Sequence, residues 1–176
     1  MPELSHELKI LTYTGCHNSI FHPLGMSEIQ DEPVSIITHV STTDLDSYRR
    51  WIELDQTKWI IKNLSSALQF LQSKRVLMNI LTEKAILMKD PESFWSLPVI
   101  VDFSFTCLAE CATHFTKHHT RLFSTTSHLS VDVSQGQRLP SYKSDIYSLA
   151  HLMMNLGKKL PSYTSLDKIH ILVSTS

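Results

Sequence analysis

In ELSHELKILTY the apolar residues Leu4, Leu8 and Leu11 recur at helical spacing with Ile10 alongside, so the segment predicts a helix with one apolar face. Gly15 follows it, a residue suited to the left-handed conformation that ends helices. PVSIITHV, Pro33 to Val40, is rich in β-branched residues and predicts a strand. The clearest helix runs from Asp55 to Lys74, where Ile60, Leu64, Ala67, Leu68 and Leu71 form a broad apolar stripe and Asp55 can cap the first turn. VLMNILTEKAIL, residues 76 to 87, then reads as a short strand, a polar turn and a second short strand, a hairpin pattern. LPVIVDF predicts a further strand, opened by Pro98, whose missing N–H suits a strand start. Residues 104 to 140 are polar, rich in His, Ser and Thr, and show little periodicity. They predict a long loop, and loops of that length are usually functional or mobile. SDIYSLAHLMMNLGKK, residues 144 to 159, has a cap-like Ser144 and places Ile146, Tyr147, Leu149, Leu152, Met153 and Leu156 on nearly every side. A helix apolar all round predicts burial at the centre of a domain. The expected class is α+β, mainly α.

Composition narrows this picture. A chain of 176 residues with a hydrophobic fraction of 42% fits one globular domain. A net charge of −1 with a pI near 6.8 leaves no electrostatic footprint for nucleic acid or an anionic membrane. The apolar runs are too short to span a bilayer, and MPELSHELKI is too polar for a signal peptide. Three cysteines without repeated spacing argue for a reducing compartment, so a cytoplasmic location is expected. Only 4 glycines are present, which matters because loops that cradle phosphate need them.

Two stretches carry candidate chemistry. In CLAECATHFTKHH, residues 107 to 119, Cys107, Cys111, His114 and His118 have zinc-ligand chemistry, and 111, 114 and 118 would share a helix face. The spacing departs from the paired ligands of structural zinc sites, and a ligand-rich loop without metal is the plainer reading. Thr113, Thr116, Thr120 and Ser124 to Ser127 could take phosphate, or form a solvated polar loop. The Met153–Met154 pair reads as core filler.

The order of these elements resembles the eukaryotic protein kinase fold from its regulatory helix onward. ELKILTYTGCHNSI looks like the end of that helix, with Glu7 where kinases carry the glutamate that pairs with a lysine. IITHV is similar to the last N-lobe strand and the hinge, with Thr38 at the gatekeeper and His39, Val40 and Ser41 as hinge backbone. VDFSF resembles the metal-binding Asp-Phe-Gly segment, through Asp102, Phe103 and Ser104. SVDVSQG is a loose version of the Ala-Pro-Glu segment, and KSDIYSLA is close to the signature of the helix beyond it, with Asp145 as its aspartate. The resemblance implies a single truncated kinase-like domain, with residues 1–38 as an N-lobe remnant and 39–176 as a partial C-lobe.

A kinase catalytic loop reads H-R-D-L-x-x-x-x-N-I-L, and Ala85 to Leu87 fix the register. Met78 then stands for the histidine, Asn79 for the arginine, Ile80 for the catalytic aspartate and Ala85 for the metal-binding asparagine. Neither isoleucine nor alanine can accept a proton or hold Mg²⁺. No glycine-rich loop or strand lysine precedes Glu7 here, so Glu7 is expected to lack a partner and to stand solvated. Asp102 would be a lone Mg²⁺ ligand, or an aspartate capping a turn. Asp145 and Phe103 would be structural, the aspartate bonding to the backbone of the catalytic loop. The resemblance therefore implies a pseudokinase-type chain that acts by binding a protein partner or a second copy of itself through exposed apolar faces. Residual ATP and Mg²⁺ binding at Thr38, His39, Val40 and Asp102 is the vestige it would retain. The rival expectation is an ATP-binding protein kinase with an unorthodox catalytic loop, or part of a longer active chain.

Overall fold

A computed structural model describes residues 2–29, 32–37, 41–48, 52–113 and 128–158. Helix α1, Pro2–Thr14, stops where the sequence predicts: Gly15 adopts φ +78° and its amide closes on the Leu11 carbonyl at 3.2 Å. Strands β1, Pro23–Ile29, and β2, Glu32–Ile37, form an antiparallel hairpin in which Ile29 faces Glu32. A single turn, α2 (Leu45–Tyr48), leads to the long helix α3, Leu54–Ser73.

The start of α3 differs from expectation. Glu53 is its cap, and the Gln56 side chain reaches back to accept from the Glu53 amide at 2.8 Å. Asp55 lies within the first turn, paired at 3.1 Å with Lys58 at the surface. The periodicity located the helix but not the residue that satisfies its first free amide, because Glu and Gln can close a capping box from outside the apolar stripe.

The apolar stripe of α3 organises the core. Ile60, Leu64, Ala67 and Leu71 are buried together with Ile10 and Leu11 of α1, Phe103, and Leu149, Leu152 and Leu156 of the last helix. Burial of each leucine, isoleucine or phenylalanine among them stabilises the fold by about 1.5–3 kcal/mol before the entropy of ordering it is subtracted.

The expected hairpin at 76–87 does not form. Strand β3, Val76–Leu77, pairs instead with β6, Cys107–Leu108, while β4, Ile86–Lys89, pairs with β5, Leu97–Ile100. Residues 78–85 become a loop between two separate sheets, closed by a 3₁₀ turn at Glu83–Ala85 with the Thr82 hydroxyl accepting from the Ala85 amide at 3.3 Å. Alternating apolar residues specify that a strand forms, not which strand it joins.

Helix α4 is one turn, Val131–Ser134, and α5 spans Tyr142–Gly157. Ser141, not Ser144, caps α5, and Ser144 answers from the third helical position by accepting from the Ser141 amide at 2.9 Å. Burial all round α5 is also corrected. Leu149, Leu152 and Leu156 are in the core, yet Ile146, Tyr147 and Met154 are 62%, 41% and 47% exposed. α5 packs on α3 through its leucine side, and Ile146, Tyr147 and Met154 stay exposed away from it. The architecture is mixed α+β, mainly α, with three two-stranded antiparallel sheets among the described residues. No helix among them is long and apolar enough to cross a membrane.

Candidate functional site

β3 and β4 hold the two ends of the 78–85 loop, and Asp145 holds its backbone from the opposite side. Carried on the first turn of α5, the Asp145 carboxylate accepts from the Met78 amide at 2.9 Å through Oδ2 and from the Asn79 amide at 2.8 Å through Oδ1. It is only 6% exposed. Burial pushes its carboxyl up to about 6, against the pull of the two amides toward the charged form. The bond is what lets the chain turn at Asn79, whose φ of +66° is a conformation that asparagine tolerates better than most residues.

Most side chains of the loop are buried or half-buried, and Lys84 alone among them is exposed. Asn79 is fully buried, donating to the Phe105 carbonyl at 2.6 Å and to Cys107 Sγ at 3.4 Å. Met78 lies in the core cluster with Phe103 and Leu11, and accepts a weak bond from the Thr106 hydroxyl at 3.7 Å. Ile80 is half-buried and packs on Leu129 and Val133, the residues leading into and through α4. Ala85 is buried and too short to reach a ligand. Ile80 and Ala85 offer no group that could take a proton, and the carboxylate of this stretch, Glu83, is turned toward His128 and Asn155.

Asp102 follows β5 and is exposed. Its Oδ1 accepts from the Ser104 amide at 3.0 Å, the geometry of a local turn cap. The Ser104 hydroxyl lies 2.7 Å from that same oxygen and 2.7 Å from Glu7 Oε1, so one hydroxyl proton is shared between two carboxylates. Glu7 is therefore not the solvated, partnerless residue expected. It is half-buried and tied across 97 residues, and its neighbour His6 meets the Thr106 carbonyl at 2.6 Å. Removing the hydroxyl by Ser104→Ala should loosen the seat of α1 by about 0.5–1.5 kcal/mol, read as faster amide exchange in α1 with that of α3 unchanged.

No family model matches this chain, and no curated protein matches it.

The remaining candidates divide. Thr38, His39 and Val40 lie outside the described residues, as do His114, His118, Thr116, Thr120 and Ser124 to Ser127. Of the proposed zinc ligands, Cys111 is exposed and Cys107 is buried under Asn79, with burial pushing its thiol up to about 11. A thiol held protonated in that way is neither nucleophile nor ready ligand. Among the described residues no group of three or more His, Cys, Asp or Glu side chains is placed to hold a metal ion. Two arrangements were not foreseen: the Ser104 bridge, and a buried group in which Glu83 meets His128 and Asn155. Their partners are far apart in sequence and share no local pattern that could have paired them.

Proposed function

We propose that this chain is a kinase-like domain of pseudokinase type that works by binding another protein and does not transfer phosphate. The observation that carries the reading is Ile80, a hydrocarbon packed on Leu129 and Val133 at the position the register gives to the proton acceptor. Three further arrangements support it. Asp145 takes the backbone amides of the loop, the tie that the resemblance implies for its aspartate. Phe103 is fully buried against Met78 and Leu11, whereas Asp102, beside it, is occupied by its own turn. Glu7 bonds Ser104, the residue at the position where the family carries glycine, in place of a lysine.

A binding role needs a surface, and the outer side of α5 offers one in Ile146, Tyr147 and Met154. Exposed apolar clusters of this kind commonly mark contact sites. Incubation with Mg·ATP should leave the melting temperature unchanged and label no peptide substrate. Label transfer that is lost on changing Asp102→Asn would overturn the reading. So would a monomer that binds no partner and no hydrophobic dye.

A further inference from the structure

The segment that enters α4 is fixed to the domain by a buried group independent of the proposed function. His128 Nε2 lies 3.4 Å from Glu83 Oε2, and Glu83 Oε1 accepts from Asn155 Nδ2 at 3.0 Å. The His151 ring stands edge-on to His128 with centroids 4.7 Å apart, and Asn155 lies 3.4 Å from His151 Nδ1. The His128 carbonyl accepts from the Ser148 hydroxyl at 2.6 Å, and the next residue, Leu129, packs on Ile80. One turn is thus held by its ring, its backbone and its neighbour's side chain. The second ring nitrogen, Nδ1, is buried and has no hydrogen-bond partner among the described residues.

We propose that residues 128–133 form an acid-sensitive latch, in which a second proton on the His128 ring unseats this turn from Glu83 and α5. The neutral ring fits as it stands, with its proton on Nε2 toward Glu83 and an unshared lone pair on Nδ1. The added proton must go to Nδ1, where no acceptor waits among the described residues. A buried N–H without an acceptor carries its full desolvation penalty, and the turn relieves it by opening to water. Among the described residues the charges that act on the ring are Glu83 from the 3₁₀ turn and His151 from α5. From α4, Asp132 is engaged with Arg138 at 3.5 Å. Burial, the largest influence, holds the ring below its ordinary 6.5, with His151 adding to it and Glu83 opposing. The stability this ring contributes is therefore present above 6.5 and lost as pH falls through the lower folded value. Opening also takes Leu129 and Val133 off Ile80, so acid would loosen the 78–85 loop from the same side.

The test is amide exchange, corrected for intrinsic rates, at about pH 8 and about pH 5.5, on either side of the range in which imidazoles titrate. The reporters are the Val133, Ser134, Gln135 and Gly136 amides, which bond Ser130, Val131 and Val133 carbonyls. In the unaltered chain their protection should fall about threefold or more at the lower pH, while α3 stays protected. In His128→Gln the fall should vanish; in His151→Gln it should persist. No fall in the unaltered chain, or an equal fall in His128→Gln, overturns the proposal. If His128→Gln does not fold, NMR titration of the His128 ring decides. A midpoint below 6.5 accompanied by shifts of the Leu129 and Val133 methyls supports the latch, and a midpoint at or above 6.5, or static methyls, refutes it.

Discussion

Asp145→Ala should cost about 3–5 kcal/mol of folding stability, close to the whole margin of many domains. The alanine leaves the Met78 and Asn79 amides buried with nothing to accept them, and it releases the backbone that holds Asn79 at φ +66°. Each orphaned amide costs about 1–3 kcal/mol, which is why the loss exceeds that of an ordinary hydrogen bond. Asp145→Asn should recover less than half, since it offers one acceptor oxygen and turns an amino group toward the other amide. Urea denaturation followed by far-UV circular dichroism measures both. The pH dependence has a definite sign. The folded carboxyl sits above its ordinary 3.8, so this group's contribution is fully present below 3.8 and is lost as pH rises through about 6. The stability gap between the unaltered chain and Asp145→Asn should therefore narrow from acid toward neutral pH. A gap that widens over that range would mean that the two amide bonds outweigh burial.

Phe103→Ala should cost a comparable amount, about 3–5 kcal/mol, because a fully buried ring is removed from the junction of α1, α3 and the 78–85 loop. Its neighbour gives the contrast. Asp102→Asn keeps an oxygen for the Ser104 amide at an exposed turn and should change stability by no more than about 0.5 kcal/mol. A pair of adjacent substitutions with such unequal effects separates a packing role from a ligand role. If Mg²⁺ raises the melting temperature of the unaltered chain but not of Asp102→Asn, the aspartate does hold a cation and the turn-cap account of it fails.

What the sequence revealed depended on how far apart the interacting residues lie. Helix α3, the Gly15 stop and strand β5 were legible because each is written in a local pattern of apolar spacing or backbone preference. Cap residues were misplaced by two or three positions, since Glu53 and Ser141 work through reciprocal bonds with Gln56 and Ser144 that several nearby residues could have made. The partners of β3 and β4 were misread because the nearest strand in sequence was not the one chosen. Burial of α5 was overestimated on the side of Ile146, Tyr147 and Met154, since its composition does not say which faces meet α3. At the candidate site, a loop packed for structure was legible in its hydrocarbons, of which Ala85 is buried and Ile80 half-buried. The Ser104–Glu7 tie was not, for a serine beside an aspartate predicts a turn and says nothing of a glutamate 97 residues earlier.

The two short strands that flank residues 78–85 fix the timing of assembly as well as the shape. Val76 waits for Leu108, Ile86 waits for Ile100, and the amides of Met78 and Asn79 wait for a carboxylate 67 and 66 positions downstream. Contacts that close such long stretches of chain form slowly. During synthesis α3 can coil as soon as it emerges, whereas this loop stays unset until Asp145 has left the ribosome. A nascent chain stalled before that point would expose Met78, Leu81 and Phe103 together, which makes it a natural client for chaperones.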